Sequence, residues 1–213
     1  MKTTALLLIP ALLSAQTLTM IGPTSNIRVG TQFTLTLGIG GTTVVAPAPQ
    51  PGARQAVQFT INGTGSWPFT ASLGVPQTGK SLDCGSVGTG INCVISGGVS
   101  ALVDGTLCWF TFTLPKTATV GTSAVTVTNP LAAYTYTDAA GVSTVTGSTV
   151  VAPGPFTLSV INPCAAMTLL TERSQVKGQT ACTTGDLNSD AKCDILDLQI
   201  LETYVANGTC LAK

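Results

Sequence analysis

The chain has 213 residues, with nine Lys plus Arg, nine Asp plus Glu and no His, so its formal net charge is zero and only 8% of it is charged. So little Lys and Arg leaves no basic footprint for nucleic acid, and without His the chain lacks the side chain that most often moves protons near neutral pH. The length accommodates one large domain, or one domain with a small module.

Met1-Lys2, the apolar run Ala5 to Leu13 and then Ser14-Ala15-Gln16 have the order of a secretory signal peptide, expected over residues 1–16. The apolar run is too short to span a bilayer, and no later stretch of about 20 apolar residues follows. The expected location is therefore extracellular or at the cell surface, with no membrane span.

From Leu18 to Val160 the pattern has period 2. Phe33, Leu35, Leu37 and Ile39 alternate with polar residues, as do Val57, Phe59 and Ile61, and Cys108, Phe110, Phe112 and Leu114 share one face. Such runs between Gly, Pro and Asn turns predict half-buried antiparallel strands, about nine of them, packed as a β-sandwich or jelly roll over 17–161. The class is mainly β. Trp67 lies in a turn segment and Trp109 is out of phase with the core face of its strand, so both are candidate sugar-stacking residues. Burial at a sandwich edge explains them as well.

Residues 162–213 read differently. A helix is predicted from Ala165 to Val176 after Asn162-Pro163, and a second from about Ile195 to Ala206, closed by Asn207-Gly208. The second should bury Ile195, Leu198, Leu201 and Val205. In this stretch five of the nine acids of the chain gather as Asp186, Asp190, Asp194, Asp197 and Glu202. Residues 186–197 place oxygen-bearing side chains at loop positions 1, 3, 5, 9 and 12. A hard cation takes six to eight oxygens at about 2.3–2.6 Å, and a loop with this alternation supplies them, adding a backbone carbonyl at position 7. The expected cofactor is one Ca2+ held by Asp186, Asn188, Asp190, the Lys192 carbonyl, Asp194 and Asp197. Ala191 stands at position 6, where a left-handed turn costs a residue with a Cβ about 1–2 kcal/mol.

Seven cysteines in an exported chain point to disulfides, with at least one thiol left over. Cys84 and Cys93 flank a Gly-rich turn and are expected to pair. Cys164, Cys182, Cys193 and Cys210 surround the acidic loop, where at least one bridge is expected to tie Cys182 or Cys193 to Cys164 or Cys210. Cys108 reads as a buried free thiol.

The stretch Gly185-Asp-Leu-Asn-Ser-Asp-Ala-Lys-Cys-Asp-Ile-Leu-Asp-Leu-Gln-Ile-Leu resembles a dockerin repeat, the calcium-loop-plus-helix module that binds cohesin domains. Like dockerins, it ends its loop on Asp197 where EF-hands use Glu. The resemblance implies an EF-hand-like module over 162–213 whose loop positions 10 and 11 and following helix face meet a partner, here Ile195, Leu196, Gln199 and Thr203. Four segments upstream are similar to a cohesin domain: Ile27-Arg28-Val29-Gly30, Ala56 to Ile61, Asp104-Gly105-Thr106-Leu107 with Phe110-Thr111-Phe112, and Val120-Gly121-Thr122. That likeness implies a jelly roll that holds a protein partner of cohesin or dockerin type, in a setting linked to polysaccharide breakdown. The alternative from the residues alone is a carbohydrate-binding sandwich using Trp67 and Trp109, with polysaccharide as partner. Catalysis is not expected, because the sandwich offers only Asp83, Asp104 and Asp138 as carboxylates, each explained by turn chemistry.

Overall fold

The computed structural model describes residues 16–41, 54–98, 100–137, 140–208 and 210. The expected signal peptide lies outside the described residues except for Gln16, and Asp138 lies outside them too. Gln16 is buried, and its carbonyl accepts from the Val151 N–H at 2.7 Å.

Eleven strands follow in order: β1 Thr17–Ile21, β2 Ile27–Arg28, β3 Gln32–Gly40, β4 Arg54–Asn62, β5 Phe69–Leu73, β6 Ser81–Val87, β7 Gly90–Ser96, β8 Gly105–Thr113, β9 Gly121–Thr137, β10 Ser143–Thr149 and β11 Phe156–Ile161. They form two sheets, one ordered β1-β3-β8-β5 and one ordered β2-β11-β9-β4-β7-β6, with β10 also paired to β9. Every ladder is antiparallel except β2 on β11, which is parallel. The count exceeds the expected nine partly because a two-residue strand such as β2 has no period to read.

The period-2 residues face one another between the sheets. Leu35 and Leu37 of β3, Phe59 and Ile61 of β4, Ile95 of β7 and Phe110 and Phe112 of β8 have no exposed surface, and they join one continuous core. Cys108 lies in that core as the free thiol, and burial pushes its pKa up to about 12, so the thiol is inert. The Asn62-Gly63 turn requires glycine. Gly63 sits at φ +88 and a Cβ there would stand 2.0 Å from the Ala124 carbonyl oxygen.

Cys84 and Cys93 sit directly opposite each other on β6 and β7 and form the expected bridge. The tail pairs otherwise than expected: Cys164 bonds Cys210, and Cys182 bonds Cys193. The first closes the module from end to end. The second clamps the loop to the segment before it, so no bridge ties Cys182 or Cys193 to Cys164 or Cys210. Sequence spacing alone does not choose among the three pairings of four cysteines.

A 3₁₀ turn, Pro163–Ala166, starts two residues after β11 ends; α1 is Leu169–Val176 and α2 is Ile195–Asn207. The helix expected from Ala165 is interrupted because Met167 is extended and Thr168 then caps α1, its side chain accepting from the Thr171 N–H. Asp194 caps α2 through a reciprocal capping box with Asp197, and Gly208 ends it at φ 72.

The buried stripe of α2 also departs from expectation. Ile195 and Val205 are exposed, while Asp197, Ile200 and Leu201 are buried and Tyr204 packs beside them. The reason is electrostatic and geometric. The carboxylate of Asp197 turns inward to hold backbone N–H groups, and at about 100° per residue this carries 200, 201 and 204 inward with it. The opposite face then holds 195, 199 and 203.

Candidate metal loop and helix face

Residues 186–197 fold as a tight loop built from side-chain-to-backbone hydrogen bonds. Asp186 Oδ1 accepts from the Asp190 N–H and its Oδ2 from the Ala191 N–H, both at 3.0 Å. Asn188 Oδ1 also accepts from the Asp190 N–H at 3.0 Å, and Asp190 Oδ1 accepts from the Lys192 N–H at 2.9 Å. Asp197 joins the two ends. Its Oδ1 accepts from the Leu187 and Asn188 N–H groups at 2.7 and 3.0 Å, and its Oδ2 from the Asp194 N–H at 3.0 Å. Asp197 is fully buried while it does so. Ser189 and Ala191 take φ of 66° and 67°, the left-handed turns that let so short a segment close on itself.

All six expected donors therefore sit in one loop: the side chains of Asp186, Asn188, Asp190, Asp194 and Asp197, and the carbonyl of Lys192. Four of the side chains are carboxylates. Two ion pairs occur among the described residues, Arg54–Asp104 at 2.8 Å and Arg173–Glu202 at 3.4 Å, and neither engages a loop carboxylate. The carboxylates have turned onto the backbone, and among the described residues no group of three or more His, Cys, Asp or Glu side chains is gathered as around a metal ion. The donor set is nonetheless the chemistry a hard cation takes, six oxygens of which four are carboxylates. A carboxylate oxygen that accepts an N–H retains a second lone pair for an ion.

Three residues in this region carried no sequence signal. Glu172 of α1 has no exposed surface, and neither of its carboxylate oxygens has a hydrogen-bond partner among the described residues. Burial, and next the charge of Asp197, push its pKa up. Gln175, one turn on, is buried and accepts from the Gly185 N–H at 3.0 Å, just ahead of the loop. A helix of eight residues with five polar or charged side chains does not announce which face it buries. Arg28 of β2 donates through Nη1 to the Leu187 carbonyl and through Nη2 to Ser189 Oγ, across 159 and 161 residues of sequence.

The partner-face candidates share one side of α2. Ile195 is 56% and Leu196 51% exposed, and Gln199 and Thr203 are exposed beside them. Ile195 is thus a surface residue, not the core residue its spacing suggested. The tryptophans, by contrast, are not brought together. Trp67 is half-buried and packs edge-on against Phe33, with ring centroids 6.1 Å apart. Trp109 is half-buried between the inward-facing Cys108 and Phe110, so it lies on the outer face of its sheet, in register with Thr36 and Ser72. Of the sandwich carboxylates, Asp104 is paired with Arg54 and Asp83 is exposed on β6.

No helix among the described residues is long and apolar enough to cross a membrane. No protein-family model matches the chain, and no curated protein matches it. Solved structures do. A cohesin module from a family 33 glycoside hydrolase of Clostridium perfringens superposes with a TM-score of 0.50 at 10% identity, covering 70% of this chain and 98% of that one. The seventh ScaB type I cohesin of Pseudobacteroides cellulosolvens gives 0.47 at 11% identity, covering 68% and 93%. A non-cellulosomal cohesin of the archaeon Archaeoglobus fulgidus gives 0.44 at 16% identity, covering 70% and 95%. At 10% identity the likeness to the first of these is one of fold, and the sandwich of this chain has that cohesin-like fold.

Proposed function

We propose that this chain is a non-catalytic extracellular interaction module, in which a cohesin-like sandwich carries a calcium-ordered helical tail that docks a protein partner. The observation that carries the reading is the loop: a buried Asp197 gathers both of its ends, four carboxylates lack a cationic partner among the described residues, and an exposed apolar pair, Ile195 and Leu196, stands at positions 10 and 11. Asp186, Asn188, Asp190, Asp194, Asp197 and the Lys192 carbonyl would hold the ion. Calcium would supply the positive charge that these carboxylates lack. The three disulfides fit an oxidising compartment outside the cell.

The partner face follows from the same helix. A leucine buried at an interface contributes about 1.5–3 kcal/mol, and Ile195 and Leu196 offer two adjacent apolar side chains with Gln199 and Thr203 alongside. Calcium titration by calorimetry on the wild type and on Asp186→Ala, paired with pull-downs on cohesin and dockerin domains using Leu196→Asp, tests both halves. Binding at millimolar or tighter affinity, lost in Asp186→Ala, is expected. Leu196→Asp should lose the partner and keep the ion. Absence of heat from the wild type would sink the calcium reading, and loss of partner and ion together in Leu196→Asp would place Leu196 in the module core.

A second reading, polysaccharide binding, is favoured by Trp109. Its sheet face presents Thr34, Thr36, Thr70, Ser72 and Thr111 around the ring, with no charged residue on β1, β3, β5 or β8. Co-sedimentation with cellulose, xylan and chitin distinguishes the readings, since Trp109→Ala should abolish that binding and leave the calcium titration unchanged.

A further inference from the structure

We infer that Arg28 is a positioning residue through which the sandwich grips the back of the loop, so that calcium loading and the seating of the tail on the sandwich are coupled. The inference rests on the calcium reading above and adds to it how the ion acts on the whole chain.

The argument begins with alternation. Loop positions 1, 3 and 5 are the proposed ligands Asp186, Asn188 and Asp190. Arg28 takes the groups between them: the carbonyl of Leu187 at position 2 and the hydroxyl of Ser189 at position 4. The guanidinium is a planar fork with donors in fixed directions, suited to two acceptors held at a set spacing. It therefore engages the loop without competing for a single proposed ligand.

Both ends of this link are fixed. The Arg28 backbone is pinned on the sandwich, with its carbonyl accepting from Thr31 Oγ1 at 2.7 Å and the next residue, Val29, donating to the Ile161 carbonyl at 3.0 Å. On the tail side, the peptide after Leu187 gives its carbonyl to Arg28 and its N–H, from Asn188, to Asp197 Oδ1 at 3.0 Å. One peptide unit thus joins the sandwich to the last ligand of the loop. Only Asn162 separates the end of β11 from the 3₁₀ turn, so the covalent tether is short and Arg28 closes a second connection beside it.

An ion that fixes the odd positions also fixes the carbonyl and hydroxyl that face the other way. Arg28 in turn holds the loop nearer its loaded shape before the ion arrives. By linkage the two effects are equal, and couplings of this kind range from about 5-fold to 150-fold.

The test uses the full chain. Backbone ¹⁵N relaxation reports whether tail and sandwich tumble as one body, and calorimetry gives calcium affinity, for the wild type, Arg28→Ala, Arg28→Lys and Ser189→Ala. In calcium the wild type should tumble as one body. Arg28→Ala should free the tail, keep the sandwich spectrum and melting temperature, and weaken calcium binding about tenfold. Arg28→Lys and Ser189→Ala, each retaining part of the link, should fall between. A tail as rigid in Arg28→Ala as in the wild type overturns the inference, and so does a freed tail with unchanged calcium affinity; both leave the calcium reading standing. A wild type that takes up no calcium removes that reading and the coupling together.

Discussion

The sandwich buries an apolar cluster that runs from Leu18 to Val160, whereas the tail buries Cys164, Met167, Leu187, Ile200, Leu201 and Cys210, two of them already tied in a disulfide. In place of more apolar surface the tail has two cross-links and a carboxylate that holds three backbone N–H groups. A small unit with few apolar residues depends on such devices. The consequence is a division of sensitivities. The sandwich, with one bridge in a large apolar core, responds mainly to changes in packing volume, and the tail to redox state, pH and cations.

The largest effect expected is in the sandwich. Phe110 contacts the rings of Phe59, Phe69 and Phe112 with centroids 6.2 Å apart, and Phe110→Ala should cost about 3–5 kcal/mol in denaturant unfolding. The same substitution should leave the protection of tail amides unchanged. Next is the end-to-end bridge of the tail. Cys164 and Cys210 are 46 residues apart, and replacing both with Ser should destabilise the tail by about 2–4 kcal/mol, measured by amide exchange. The sandwich ladders should keep their protection.

Glu172 sharpens the contrast through pH. Burial and Asp197 raise its pKa in the folded state above its unfolded value, so the fold binds that proton more tightly. Its contribution is fully present below the ordinary carboxylate range and is lost as pH rises through the raised value, after which the loss is constant. Glu172→Gln removes the buried charge while keeping the shape, so it should stabilise the tail at neutral pH and flatten its pH profile. Melting in chelator between pH 4 and 8 checks the sign.

Ala191→Gly is the smallest change. It removes a left-handed strain of about 1–2 kcal/mol at φ 67°, and should raise calcium affinity by up to about tenfold. Calorimetry on the single variant measures it.

The legibility of the chain follows the same division. The inward faces of β3, β4 and β8 were readable because period 2 is imposed by backbone geometry, independent of the rest of the molecule. The loop was readable as a set of donors for a similar reason, since alternation along a tight turn is local. What could not be read depends on contacts made at a distance. Arg28 meets Leu187 only once β2 has paired with β11, and the inward turn of Asp197 decided the orientation of α2 against its apolar spacing. Ile195 was misplaced in the core for that reason. The disulfide pairing of the tail was equally hidden, because it is set by how the 3₁₀ turn and the end of α2 come together.

The most direct test of the account is residue-resolved amide exchange of the full chain in millimolar calcium and in chelator. The account predicts that calcium slows exchange at Asp190, Ala191, Lys192 and Asp194 and along α2 by at least about tenfold, while β3, β4 and β8 are unchanged. Equal exchange rates in the loop under the two conditions would contradict it.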